Sequence, residues 1–520
     1  MRRTGRLIPS FCFSPIIYLC VLTCKSFSLA AIAFSPRFGY NSTNPYRKSV
    51  ISMNAINNVV NTISGFLYDP WVPVFLLVAG LYFTIRTGLI QVRLFGESIR
   101  VVTEKPKDKD GISSFAALMV STASRVGTGN IVGVSTAICV GGYGAVFWMW
   151  VTAILGGASA FIESTLAQIY KKRDKDGTSY GGPSYYIEAG LKQRWLGIIF
   201  AVVLICTYAI GYNMLASYNL QSAFSGFSFY GKSTPIIIGA ILAVLFALCI
   251  LGGAKRLSSI TGVLVPVMGV IYILVAIIVV LINIKHVPGV FASIFAGAFD
   301  FKAIFGGFAG SAMMQGIKRG LYSNEAGMGS APNAAATADV SHPAKQGLVQ
   351  MLSVFIDTLL ICTATALMCL SSGIAPEESL QGAPYVQQTM AATLGSFGPI
   401  FIAVAMCLFA FTTLIGNYYY CEGCLKYILK RSPSQTFMTV FRLIATAIVF
   451  VGALLSAGLA WDTADLFQAI MVVINIPVIL LLGKPALDAL KDYMKQRKEG
   501  KDPVFKAANI GLKQKTDFWN

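Results

Sequence analysis

The chain reads as an all-α polytopic membrane protein of two five-helix halves in opposite orientation, preceded by one extra helix. Three observations predict this. Apolar stretches long enough to cross a bilayer recur from Trp71 to Leu482. Lysines and arginines concentrate on alternate connections between those stretches. Two glycine-rich interruptions fall inside apolar stretches that occupy corresponding places in the two halves.

Composition sets the class. The 520 residues are 55% hydrophobic and only 12% charged, against roughly 25% charged in soluble domains. The formal net charge of +18 is carried by connections and tail, with no zinc-finger or RNA-recognition pattern, so nucleic acid is not the expected partner. Of the 11 cysteines, Cys139, Cys206, Cys249, Cys362, Cys369 and Cys407 lie in apolar stretches, where a free thiol packs as a small hydrophobe. Cys421-Glu422-Gly423-Cys424 has no second pair to complete a metal site.

Residues 1–52 open the chain as a signal-like segment and polar linker. Arg2, Arg3 and Arg6 give a basic start, 7–24 are mostly apolar, and Ala31-Ile32-Ala33 fits a cleavage site. An uncleaved helix and a reading frame that begins at Met53 are the alternatives. The membrane domain spans 53–484, with helices expected over 71–90, 113–140, 143–168, 196–221, 234–251, 259–283, 303–322, 347–372, 397–421, 437–459 and 464–482. Residues 485–520 form a basic tail. Basic runs such as Lys171-Lys172-Arg173 mark one side of the membrane, which puts the tail in the cytoplasm and 53–70 outside. With 71–90 set aside, each half has an odd number of spans, so the halves cross in opposite senses.

The first interruption reads Ser121-Thr122-Ala123-Ser124-Arg125-Val126-Gly127-Thr128-Gly129-Asn130 and the second Phe305-Gly306-Gly307-Phe308-Ala309-Gly310-Ser311. Glycine costs about 1 kcal/mol in a helix interior relative to alanine, so clusters of it predict an opened helix. Irregular backbone at membrane depth persists where it lines a cavity. An opened helix offers N–H donors and a dipole to a carboxylate, and free carbonyls to a hard cation. Thr412-Thr413 adds adjacent hydroxyls, while Arg125, Glu163 and Asp357 are intramembrane charges, functional or structurally paired. No P-loop, hydrolase elbow or zinc-binding histidine pair is present, so neither ATP-driven transport nor catalysis is expected. A channel would need rings of charge or carbonyls along a pore, and none is visible.

Four blocks carry a family resemblance: Gly127-Thr128-Gly129-Asn130-Ile131-Val132-Gly133-Val134, Gly181-Gly182-Pro183-Ser184-Tyr185-Tyr186-Ile187-Glu188, Arg319-Gly320-Leu321-Tyr322-Ser323-Asn324-Glu325-Ala326-Gly327-Met328-Gly329-Ser330-Ala331-Pro332, and Phe355-Ile356-Asp357-Thr358. From Met53 to about Lys484 the chain resembles the sodium:alanine (alanine or glycine:cation) symporter family. The resemblance implies a leucine-transporter-like 5+5 inverted repeat, no enzymatic activity and no cofactor. It further implies sodium-coupled, sometimes proton-coupled, uptake of a small neutral amino acid across a cell membrane; a monomer is one option, the sequence leaving the oligomeric state open. Carried over by position, substrate would meet Gly127, Thr128, Gly129 and Asn130 and the Gly307, Phe308, Gly310 and Ser311 stretch. Sodium would lie between the Ala123 and Val126 carbonyls and the Thr412 and Thr413 hydroxyls. Many members carry Gln where this chain has Ala216 and Trp where it has Asn417, which admits serine or glutamine beside alanine and glycine.

Overall fold

The computed structural model describes residues 58–106, 111–174, 177–299, 310–512 and 514–520. The signal-like segment 1–52 and the candidate site residues Gly307 and Phe308 lie outside the described residues. Two units are distinguished: Met1–Ile63, of which 58–63 are helical, and Ser64–Asn520, which holds the membrane helices.

Helix α1 spans Val72–Arg86 and α2, on the surface, Phe95–Val102. The first half continues with α3 (Ser114–Arg125), α4 (Gly129–Gly141), α5 (Gly144–Ile169), the strands β1 (Lys172–Arg173) and β2 (Ser179–Tyr180), α6 (Pro183–Leu191), α7 (Arg194–Ser222), α8 (Thr234–Ile250) and α9 (Gly253–Ile282). The second half holds α10 (Val287–Ala298), α11 (Ala312–Asn324), α12 (Pro332–Ala335), α13 (Pro343–Leu370), α14 (Ala383–Leu394), α15 (Phe397–Leu429), α16 (Gln435–Gly452) and α17 (Ala457–Lys498). Among the described residues, 7 helices are long and apolar enough to cross a membrane. Outward faces carry exposed Ile236, Val244, Val267, Leu274 and Leu481, whereas Asn130, Glu163 and Asp357 are fully buried. Polar groups inside and apolar groups outside is the arrangement a bilayer requires.

The first interruption opens where expected. Ser113 caps α3 by accepting from the Ala116 N–H at 3.1 Å, and the helix ends at Arg125 because Val126 turns extended, φ −76° and ψ 91°. Of the second expected interruption only Gly310 and Ser311 are described, and a further gap opens after α11. Helix α11 runs unbroken to Asn324, and the chain then leaves helical geometry at Glu325 (φ 54°), Gly327 (φ 80°) and Gly329 (φ 86°) before Pro332 starts α12. Positive φ is cheap only for glycine, so Gly327 and Gly329 place the opening here. In hydropathy this polar stretch looks like a loop after the span; the structure makes it the gap within one.

The two gaps are traversed in opposite directions. Tail-side α3 precedes the first gap: Ile112, just before it, accepts from the Asp339 N–H at 2.9 Å. Tail-side α12 follows the second gap. Segments α10 and α14, expected as loops, are helical, and α15 and α17 run beyond Cys421 and Leu482. The last residues do not trail free: Phe505 and Trp519 are buried against the bundle.

Helices α3 and α15 cross in near contact at Gly416. A Cβ there would lie 2.5 Å from the Ser124 nitrogen and 2.8 Å from its Cα. Backbone cannot yield as a side chain can, so Gly416→Ala is expected to destabilise the fold by about 1–3 kcal/mol. A lower thermal midpoint in detergent checks this; an unchanged midpoint contradicts it.

Candidate functional site

The two gaps face each other. A Cβ on Gly129 would sit 2.8 Å from the Tyr322 ring, so only glycine lets α4 approach α11 this closely. Asn130 holds the first gap in shape. Its Oδ1 accepts from the Gly127 N–H at 2.8 Å and its Nδ2 donates to Asp357 Oδ1 at 2.7 Å. The other Asp357 oxygen accepts from Ser323 and Thr358, each at 2.8 Å. One side-chain amide thereby joins α4, α13 and the last turn of α11. Glu163 braces the second gap, accepting from Asn475 Nδ2 at 2.8 Å and from the Gly327 N–H at 3.4 Å. Arg125, also buried, reaches Gln350 Oε1 at 3.3 Å and is in no ion pair within 4.0 Å among the described residues.

A polar wall from α7 and α15 completes the chamber. Ser124 Oγ lies 2.7 Å from Asn417 Oδ1 and 3.0 Å from Glu325 Oε1, and Asn417 Nδ2 donates to Asn213 Oδ1 at 2.9 Å. Asn219 Nδ2 donates to Thr128 Oγ1 at 3.2 Å. Asn213 Nδ2, Ser217 Oγ, Asn219 Oδ1 and Thr413 Oγ1 are buried without a hydrogen-bond partner. Buried polar groups are normally paired. Asn213, Ser217 and Asn219 are on α7 and Thr413 is on α15, and unpaired polar groups on two helices beside the gap fit a polar ligand there.

The residues expected around sodium are brought together only in part. A Cβ on Gly127 would collide with Thr413 Oγ1, so the hydroxyl lies directly on the gap. The Gly127 N–H, the helical i+4 partner of the Ala123 carbonyl, is diverted to Asn130, which leaves that carbonyl's lone pairs to other donors or a cation. Gly127, next to Val126, thus meets Thr413, and a Cβ on Gly416 of the same α15 would lie 3.0 Å from the Ala123 carbonyl carbon. Thr412 does not join them: its hydroxyl donates to the Leu408 and Phe409 carbonyls at 3.1 Å, the back-bonding usual for threonine in a helix, and it touches Met268.

Of the expected substrate residues, Gly127, Thr128, Gly129 and Asn130 line the gap. Ala216 is buried on α7 between Asn213 and Ser217, and Asn417 is held within the amide chain. Gly310 and Ser311 are placed elsewhere. Ser311 caps the opposite end of α11, accepting from the Met314 N–H at 3.2 Å, a helix length of about 20 Å from the gap. Ser124, Asn213, Ser217 and Glu325 join the site without being singled out by sequence. The Ser323-Asn324-Glu325-Ala326-Gly327 block is visible as a motif, and the glycines that follow its polar residues are the signal that could have marked an opening.

The two ends of the chamber differ. Away from the tail, Arg319 pairs with Asp465 at 3.1 Å, both buried, and its guanidinium lies 4.0 Å over Trp461, which meets Tyr322 at 5.2 Å. Toward the tail lies a cavity of about 650 Å³ lined by Ser113, Ser259, Asn333, Thr337, Tyr419 and Glu422 among others.

Comparison with known proteins agrees with this architecture. The model of the sodium:alanine symporter family matches residues 53–507. The amino-acid carrier protein AlsT of Bacillus subtilis is 47% identical over 89% of this chain and 97% of its own length. The probable sodium/glutamine symporter GlnT of the same organism is 44% identical over 86% and 93%. The sodium/alanine symporter AgcS of Methanococcus maripaludis is 37% identical over 85% and 98%. Among solved structures, MhsT in complex with L-phenylalanine has a TM-score of 0.51 at 14% identity, covering 74% of this chain and 93% of that one. The manganese transporter of Eremococcus coleocola, a mutant form, has a TM-score of 0.50 at 12% identity, covering 80% and 85%. At such identity the likeness is one of fold, that of the leucine-transporter-like carriers. The chain belongs to the sodium:alanine symporter family, which comprises membrane transporters and not enzymes.

Proposed function

We propose that this protein takes up a small neutral amino acid together with sodium, as a monomer, by alternating access about the two facing gaps. The observation that carries the reading is the set of unpartnered buried groups around those gaps, Thr413 Oγ1 on the cation side and Asn213 Nδ2 and Ser217 Oγ on the other. The start of α4 offers backbone donors to the substrate carboxylate. The Ala123 and Val126 carbonyls with Thr413 offer oxygen to sodium. The shut Arg319–Asp465 end and the cavity at the tail end fit a carrier open on one side only. Basic residues gather at the tail end, which supports a cytoplasmic tail in a cell membrane. The opposed traversal of the gaps supports a 5+5 inverted repeat.

Alanine and glycine fit the closeness of the gaps. The Asn213–Asn417–Ser124 chain supplies amide chemistry for a polar side-chain tip, so we extend the substrate range to serine and glutamine. A site that pairs a polar group discriminates more sharply than one that measures size.

Uptake into membrane vesicles should collapse when choline replaces sodium. Uptake sustained by a proton gradient alone would make the proton the coupling ion instead. Thr413→Ala should raise the half-saturating sodium concentration about tenfold, equivalent to about 1.4 kcal/mol, and Thr413→Ser should restore it. Equal sodium dependence in the alanine variant would remove Thr413 from the cation site.

Gly127→Leu should abolish substrate binding, because the side chain would occupy the space of Thr413 Oγ1. Normal binding of labelled alanine by that variant would overturn the placement. Asn417→Trp should shift competition away from glutamine and toward alanine and glycine. Wild type that ignores excess glutamine would confine the site to the smaller substrates.

A further inference from the structure

The tail does more than end the chain. Trp519 is 6% exposed and its indole N–H donates to the Gln168 carbonyl at the end of α5, at 2.8 Å. Its own carbonyl accepts from the Ala507 N–H at 2.7 Å, and its ring meets Phe505 at 5.5 Å. The Phe505 N–H donates to the Ser341 carbonyl at 2.9 Å, and Asp502 pairs with the buried Lys345 at 3.0 Å, both near the start of α13. Asp517 takes Lys172 Nζ at 3.0 Å and the Arg173 N–H at 3.3 Å, while Phe518 lies under Lys171 at 4.6 Å and Arg173 at 4.3 Å. The tail thus bridges the first half at α5 and β1 to the second half at α13. The family match ends at residue 507, so Asp517, Phe518 and Trp519 lie beyond it.

The strand it grips leads to the cavity. β1 pairs with β2, whose Ser179 donates to the Ala336 carbonyl at 2.9 Å, and Ser179 and Tyr180 line the cavity wall. Lys426 of α15 lies 5.4 Å over the Tyr180 ring and pairs with Asp174 at 2.7 Å. From the Trp519 anchor to the cavity wall the contacts are continuous.

We propose that residues 502–512 and 514–519 form a clasp that holds the tail-side vestibule open by fixing the β1–β2 hairpin. The bonds of the clasp are made in a structure whose tail-side cavity is open. Breaking them weakens that state relative to any state in which the hairpin moves. The exposed Lys172–Asp517 pair contributes little alone; the buried aromatic anchor supplies most of the hold. An autoinhibitory sign follows: with the clasp engaged, fewer molecules face outward, and apparent affinity for substrate offered from the far side falls by that fraction.

The test uses the full-length protein with Trp519→Ala and, separately, Asp517→Asn, which removes the ion pair with Lys172 without disturbing the aromatic anchor. Hydrogen exchange is followed in peptides covering 172–181, with α15 peptides as the folding control. Half-saturation for labelled alanine is measured from the far side in oriented vesicles. The clasp predicts at least fivefold faster exchange in 172–181 for Trp519→Ala, and unchanged α15 exchange. It also predicts at least threefold lower half-saturation, with Asp517→Asn shifting both in the same direction. High salt should mimic Asp517→Asn in the wild type. Unchanged 172–181 exchange in both variants would overturn the proposal, as would faster exchange with unchanged half-saturation. If Trp519→Ala exchanges faster everywhere, Trp519→Phe, which removes the indole N–H bond to Gln168 and keeps an aromatic ring, takes its place with the same expected directions. The exchange arm is independent of which amino acid is carried, so it stands or falls apart from the transport assignment.

Discussion

The Asn130 amide is the constraint on which the rest of the site depends. Opening a helix inside a membrane frees backbone groups that hydrocarbon cannot satisfy. Asn130 satisfies one of them, the Gly127 N–H, and fixes the opened turn against Asp357. That diversion frees the Ala123 carbonyl of its helical partner and leaves Gly127 facing Thr413. Asp357, through Ser323, hands the same constraint to the last turn of α11, where the second gap begins. Leaving one of these buried partners unpaired would cost about 1–3 kcal/mol, enough to deform a gap that must close around a small ligand.

A single carboxylate therefore ties the two halves at the chamber, and Glu163 does the same for the far strand of the second gap. These intramembrane charges are positioning groups: they accept hydrogen bonds that hold irregular backbone in place. The proposed alternating access would have the halves move about this centre while the ends open and close. The Arg319–Asp465 pair under Trp461 closes one end, and the cavity by Asn333 and Tyr419 opens the other. A buried ion pair of this kind is expensive to desolvate and weak as a source of stability, which would suit the gate of the proposed carrier.

Much of this is legible in the sequence. Hydropathy, alternating charge and the Gly127-Thr128-Gly129-Asn130 run locate the membrane helices and the first gap, because clustered glycine within a span weakens the helix where it must open. Sequence does not mark the gap after α11. Phe305 to Ser311 is apolar and glycine-rich and fits a hydropathy window, whereas Asn324 to Pro332 is polar and falls out of it. The structure shows why polarity misleads: Glu325 and Ser330 bond each other at 2.7 Å and Ser124 lies against Glu325, so the segment is buried despite its composition. Pairing across the halves is invisible to a local window. The same limit hides the Asn213–Asn417 bond between α7 and α15, and the seat of Trp519 on α5.

The central claim is that substrate binds between the Val126–Thr128 and Glu325–Ala331 gaps. An experimental density map of the protein with amino acid and sodium bound tests it most directly. The account predicts substrate density against the Gly127–Asn130 backbone, within hydrogen-bonding distance of Asn213 or Ser217, and cation density beside Thr413. Substrate density at Gly310 and Ser311, at the other end of α11, would contradict it.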